Sequence, residues 1–149
     1  MPAYAHTAHL MKFDEETGGK RKLSKRKDPE LSLDYYRKDG YHPYTMKVYL
    51  LTLLNSNFEE WHEKFPDKDI NEFPFSVEKM NQSGALFDKD KLHNICKNEL
   101  SKLSEEELYD FLYDWAKENE PENVEKWFSD REKMLHCLLY TSPSPRDTR

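Results

Sequence analysis

Six cations fall within ten positions in the run Gly18-Gly19-Lys20-Arg21-Lys22-Leu23-Ser24-Lys25-Arg26-Lys27. Lysine and arginine at that density can neutralise a polyphosphate, and paired glycines let the backbone approach such a ligand closely. Asp28-Pro29-Glu30 ends the run, so a loop hands over to a helix at a proline. The Gly-x-x-x-x-Gly-Lys-Ser/Thr pattern of a P-loop is absent, so a phosphate contact would rest on the local charge of residues 20–27. Taken alone, a basic run is equally compatible with a solvated face or a targeting patch.

The elements around this run are predicted to be mostly helical. Residues 1–17 read as an extended segment or short strand that feeds the basic loop. Asp28 is a candidate N-cap for a helix reaching about Lys38, with Gly40 as its stop. Pro43 opens a second helix to about Leu54, apolar enough to be buried on more than one side. Asn57 is placed to cap a short helix to Lys64, ended by Phe65-Pro66. Residues 66–76, with prolines and outward-looking aromatics, read as a connection, and residues 76–80 as one helical turn. Ala85-Leu86-Phe87 fits either a short strand or the lead-in to a helix. Asp88 caps a helix to about Leu103 with Leu92, Ile95 and Leu100 inward. Ser104-Glu105-Glu106-Glu107 is a capping box, followed by a stripe of Leu108, Phe111, Leu112 and Trp115. Pro121 opens a last helix carrying Val124, Trp127 and Phe128. At helical spacing Phe111, Trp115 and Trp127 are assigned to a core rather than to base stacking.

Bulk properties narrow the classes further. The chain has 149 residues, 35% of them charged, a net charge of -6 and 13% aromatic content. The charge excludes a global field for nucleic acid, so any polyanion contact must use a local patch such as residues 20–27. The aromatics argue against a disordered chain. No apolar run approaches the ~18 residues of a membrane span, and no signal peptide is recognisable. Cys96 and Cys137 make neither a disulfide framework nor a zinc pattern, so the expectation is a soluble protein of a reducing compartment. His6-x-x-His9 lacks a third ligand, and no metal site is assigned to it.

Lys22-Leu23-Ser24-Lys25-Arg26 resembles the KMSKS signature of class I aminoacyl-tRNA synthetases. Tyr35-Tyr36-Arg37-Lys38-Asp39-Gly40-Tyr41-His42-Pro43 and Tyr49-Leu50-Leu51-Thr52-Leu53-Leu54 follow it in register. So do Phe75-Ser76-Val77-Glu78-Lys79-Met80 and the stretch from Ser83-Gly84 to Lys91-Leu92. Together they make residues 3–136 similar to a bacterial glutamyl-tRNA synthetase just past its nucleotide-binding fold. The resemblance implies a ligase that activates glutamate with ATP and Mg²⁺, then esterifies the terminal ribose of the glutamate tRNA. On this chain the signature's catalytic lysine would be Lys25, with Lys22 supporting it. ATP binding would involve Lys22, Leu23, Ser24, Lys25 and Arg26, where Leu23 is an apolar anchor and Arg26 replaces the final serine.

The same resemblance implies a mostly α, α+β fragment in three parts. Residues 1–27 would end the catalytic domain, 28–87 would contact the tRNA stem, and 88–136 would begin an all-α anticodon-binding domain. Tyr35, Tyr36 and Arg37 would support the loop or touch the acceptor stem. Glutamine-accepting relatives tend to continue into β-barrels, so helices after Asp88 favour the glutamate enzyme. No HIGH-type motif precedes the loop; the chain is therefore expected to be a middle piece and inactive alone. The parent would be a cytoplasmic monomer whose partners are tRNA, glutamate and ATP, with no DNA or membrane partner. Whether it also charges the glutamine tRNA stays open. Two other classes remain: a non-catalytic RNA-binding module and a helical interaction protein. Finally, residues 137–147 resemble a translated sequencing adapter, so residues 137–149 are read as foreign to the natural protein.

Overall fold

The computed structural model describes residues 1–133. The adapter-like stretch and the end of the last sequence segment lie outside them. About half of the described residues are helical, and the rest hold a small three-stranded sheet.

The sheet carries the basic run. Strand β1 (Leu10–Phe13) pairs antiparallel with β2 (Lys20–Lys22), setting Met11 opposite Lys22, Lys12 opposite Arg21 and Phe13 opposite Lys20. Three of the six cations in what reads as a basic loop thus lie on a strand. Three successive cations show no apolar alternation, and the pairing comes from β1 and the turn between the strands. In that turn the Asp14 amide donates to the Gly19 carbonyl at 2.8 Å, and the Gly18 amide donates to the Asp14 carbonyl at 2.9 Å. Gly18 holds φ at 69°, a left-handed value that costs glycine nothing sterically. Strand β3 (Ala85–Leu86) lies parallel to β1 on its other side, which settles the strand-or-helix ambiguity.

The helix predicted over 28–38 is broken in two. Residues Pro29–Leu31 form a 3₁₀ turn, Ser32 is extended, and α1 (Leu33–Lys38) starts afresh. Asp28 does not cap anything, because its carboxylate is engaged elsewhere. Gly40, with φ at 84°, does end α1. The Tyr41 amide reaches back to the Tyr36 carbonyl at 3.0 Å and the Gly40 amide to Arg37, the paired bonds of a Schellman close.

Helix α2 (Pro43–Leu54) is the central element. His42 caps it, its Nδ1 accepting from the Tyr44 amide at 3.1 Å. On one side Met46 and Tyr49 pack with Tyr36 and with Leu92 of α4 (Lys89–Leu100). On the other Val48 meets Phe58 of α3 (Phe58–Lys64), Ile70 and Phe73. Burial on two sides is what its continuous apolar run predicts. Phe73, buried together with Ile70, corrects the reading of the aromatics in residues 66–76 as outward-looking, whereas Phe75 is exposed as expected. A 3₁₀ turn over Ile70–Glu72, capped by Asp69, turns Ile70 and Phe73 inward, and Phe73 meets Phe58 edge to face at 5.1 Å.

Beyond the sheet, Asp88 caps α4 as predicted by accepting from the amides of Asp90 and Lys91. The Ser104–Glu107 capping box opens α5 (Glu105–Asn119). Helix α5 docks on the first helices: the Trp115 indole donates to the Arg37 carbonyl at 3.0 Å, and Phe111 lies 4.6 Å from the His42 ring. Helix α6 (Val124–Phe128) packs Phe128 between Tyr109 and Tyr113. Trp127, assigned to the core, instead stays 43% exposed, because α6 is only a five-residue helix that turns its Phe128 side to Tyr109 and Tyr113. Among the described residues no helix is long and apolar enough to cross a membrane.

Candidate functional site: the basic hairpin and its turn

Strand β2 delivers the chain into a tight turn. The Leu23 amide still donates to the Leu10 carbonyl at 3.0 Å, and its side chain is 3% exposed. Leu23 therefore anchors the turn to the body. From there the Lys27 and Asp28 amides both fold back on the Ser24 carbonyl, at 3.1 and 2.8 Å. Lys22, Lys25, Arg26 and Lys27 are exposed around this turn.

Asp28 holds the turn shut. Its two carboxylate oxygens take a forked pair of bonds from Arg21, at 2.7 and 2.8 Å, and one of them also accepts from the Ser24 amide at 2.7 Å. The bond from Arg21, then that from the Ser24 amide, keeps the Asp28 carboxyl well below the usual carboxylate range, and Arg21 is raised in return. A forked guanidinium–carboxylate pair fixes orientation as well as charge. One residue across the ladder, Lys12 binds Glu30 at 2.9 Å, and the Glu30 carbonyl accepts from the Tyr36 hydroxyl at 2.6 Å. Burial pushes the Glu30 carboxyl up, but the Lys12 bond, a backbone hydrogen bond and the Lys12 charge together leave it lowered. Two cross-strand cations thus grip two acids that flank Pro29, and the Arg21–Asp28 pair closes the base of the turn.

An open cleft of about 710 Å³ lies beside the hairpin, bordered by Lys12, Arg21, Lys22, Ser24 and Lys27 on its cationic side. Asp14, Glu15 and Glu16 border it as well. Of the residues predicted from sequence, Lys22 and Ser24 share this cleft, whereas Lys25 and Arg26 stand on the exposed turn outside its lining. Arg21, Asp28, Lys12 and Glu30 escaped the sequence reading. The available signal was Asp28 itself, the one acid between Gly18 and Pro29. Among the described residues no three His, Cys, Asp or Glu side chains gather as a metal cage.

The comparisons with known proteins converge. A glutamate–tRNA ligase of Acetivibrio thermocellus is 56% identical over 138 residues, which is 93% of this chain and 25% of that protein. One from Clostridium perfringens strain 13 is 45% identical over 97% of the chain and 26% of its own length. One from Sorangium cellulosum is 39% identical over 80% of the chain and 23% of its own length. No family model matches, and no solved structure does. The chain spans about a quarter of the length of these curated relatives. Over most of its own length, the sequence is homologous to a quarter-length segment of glutamate–tRNA ligases.

Proposed function

We propose that this chain serves as the signature-loop and tRNA-contacting part of a glutamate–tRNA ligase of the cytoplasm. The observation that carries the reading is the turn at Lys22–Arg26. It is solvent-facing, cationic and held on a hairpin by Asp28, in a chain 56% identical to such a ligase. Residues 1–27 would close the catalytic domain, 28–87 would lie along the tRNA stem, and 88–136 would open the anticodon-binding part.

In the reaction, a glutamate carboxylate oxygen attacks the α-phosphorus of ATP, and the bond to the bridging oxygen breaks as pyrophosphate leaves. Negative charge grows on the departing phosphates. Lys25, with Lys22 beside it, would stabilise that charge, and Ser24 would hold the turn or bond a phosphate oxygen. Leu23 would act only by anchoring. Mg²⁺ would arrive with the nucleotide and the remainder of the enzyme rather than on this segment's side chains.

A chimaera tests the reading. The matched stretch of the Acetivibrio ligase is replaced by this chain's residues 1–133, and ATP–pyrophosphate exchange is measured. The expected result is an active chimaera in which Lys25→Ala loses about 100-fold to 1,000-fold of the rate, the scale of one preorganised charge donor. The 149-residue chain alone should give no exchange. A Lys25→Ala chimaera with undiminished exchange would refute the role given to the turn. If the chimaera does not fold, tripolyphosphate binding to the free chain, with and without Lys22 and Lys25, decides the same point.

A further inference from the structure

The signature turn concentrates like charge. Arg21, Lys22, Lys25, Arg26 and Lys27 crowd into seven positions, and the backbone between Leu23 and Asp28 is closed only by amides folding onto Ser24. Mutual repulsion of the cations favours opening such a turn. One buried carboxylate opposes it. Asp28 is 3% exposed and bonds at once to the strand that enters the turn, through Arg21, and to the first amide of the turn, at Ser24.

We infer that Asp28 is a positioning residue: through Arg21 and the Ser24 amide it fixes where Lys22 and Lys25 are presented to a polyphosphate. The inference rests on the polyphosphate reading above. Asp28 touches no ligand itself; its carboxylate is filled by three donors, and it sets the turn as a spacer of fixed shape. It therefore assists anion binding although it is an anion.

That paradox supplies the test, because charge and positioning predict opposite signs. Inorganic tripolyphosphate is titrated into the ¹⁵N-labelled 149-residue chain, and the amides of residues 22–27 report binding. If Asp28 acted only through its charge, Asp28→Asn would tighten binding by about twofold to fivefold. Positioning instead predicts about fivefold weakening, with faster hydrogen exchange at the Ser24 amide and unchanged amides in α2 and α4. Arg21→Lys keeps the charge but loses the fork, and should weaken binding in the same direction. Equal or tighter binding in Asp28→Asn, or unaltered binding in Arg21→Lys, overturns the inference. If Asp28→Asn disturbs α2 and α4, the affinity of Arg21→Lys decides instead. The reading beneath fails separately: it falls if changing Lys22 and Lys25 to Gln leaves the affinity untouched. A wild-type chain that shows no shift at all removes both.

Discussion

Tyr49→Phe removes a single oxygen and should destabilise the whole fold. Tyr49 is fully buried at the centre of α2, and its hydroxyl works in both directions at once. It donates to the Asp88 carbonyl at 3.1 Å and accepts from the Asp88 amide at 2.8 Å. Phenylalanine fills the same space, so no cavity term enters, and the loss comes from two hydrogen bonds to one residue. At about 1 kcal/mol net for each bond, the expected cost is about 2 kcal/mol. For a domain of this size that lowers the melting midpoint by about 7 °C, taking roughly 3–4 °C per kcal/mol. Thermal unfolding followed by circular dichroism measures it, and amide exchange at Asp88 localises it. Since Asp88 also caps α4, the first amides of that helix should exchange faster too. A midpoint within about 1 °C of wild type would refute the reasoning, showing that water takes over both bonds without loss.

Two further outcomes follow from named contacts. His42 caps α2 as a neutral acceptor, and burial lowers its pKa below the ordinary 6.5. A histidine held neutral contributes stability that is complete above pH 6.5 and is lost as pH falls through 6.5 toward its lower folded value. The fall in melting midpoint between pH 7.5 and 5.5 should therefore shrink in His42→Asn, which keeps a capping acceptor but does not titrate; an unchanged fall would refute the assignment. At Gly84 an added Cβ would collide with Met11 Cγ and sit 3.2 Å from the His9 carbonyl oxygen. Gly84→Ala should loosen the β1–β3 pairing and cost about 1–3 kcal/mol in urea unfolding; a neutral result would mean that Met11 swings aside freely.

What the sequence made legible was whatever is encoded within a few neighbouring residues. The Gly40 stop, the Pro43 start, the Asp88 cap and the Ser104–Glu107 box each depend on bonds to adjacent backbone, and all four stand in the structure. Less legible were features made by distant chain. Lys20–Lys22 becomes a strand because β1 lies across from it, and Ala85–Leu86 because β1 offers its other edge. Ile70 and Phe73 go inside because α2 and α3 leave a place for them, which their Pro- and Asp-rich surroundings conceal. In the candidate site, residue types and spacing located the cations. Their geometry depends on Asp28, whose local pattern reads equally well as a helix cap and whose partner Arg21 lies seven residues back.

The parallel pairing of β1 with β3 carries a consequence for how this molecule is assembled in time. A hairpin such as β1–β2 closes on the scale of microseconds, whereas joining Leu10 to Ala85 must wait for the chain between them to be made and compacted. During vectorial synthesis the cationic turn therefore emerges as a two-stranded ribbon with both edges open. When the late strand docks, against β1 and beside α2, it turns the ribbon into a sheet. Until that moment Lys25 and Arg26 sit on a two-stranded ribbon that is only marginally stable, and the docking of β3 is what makes their hairpin part of the fold.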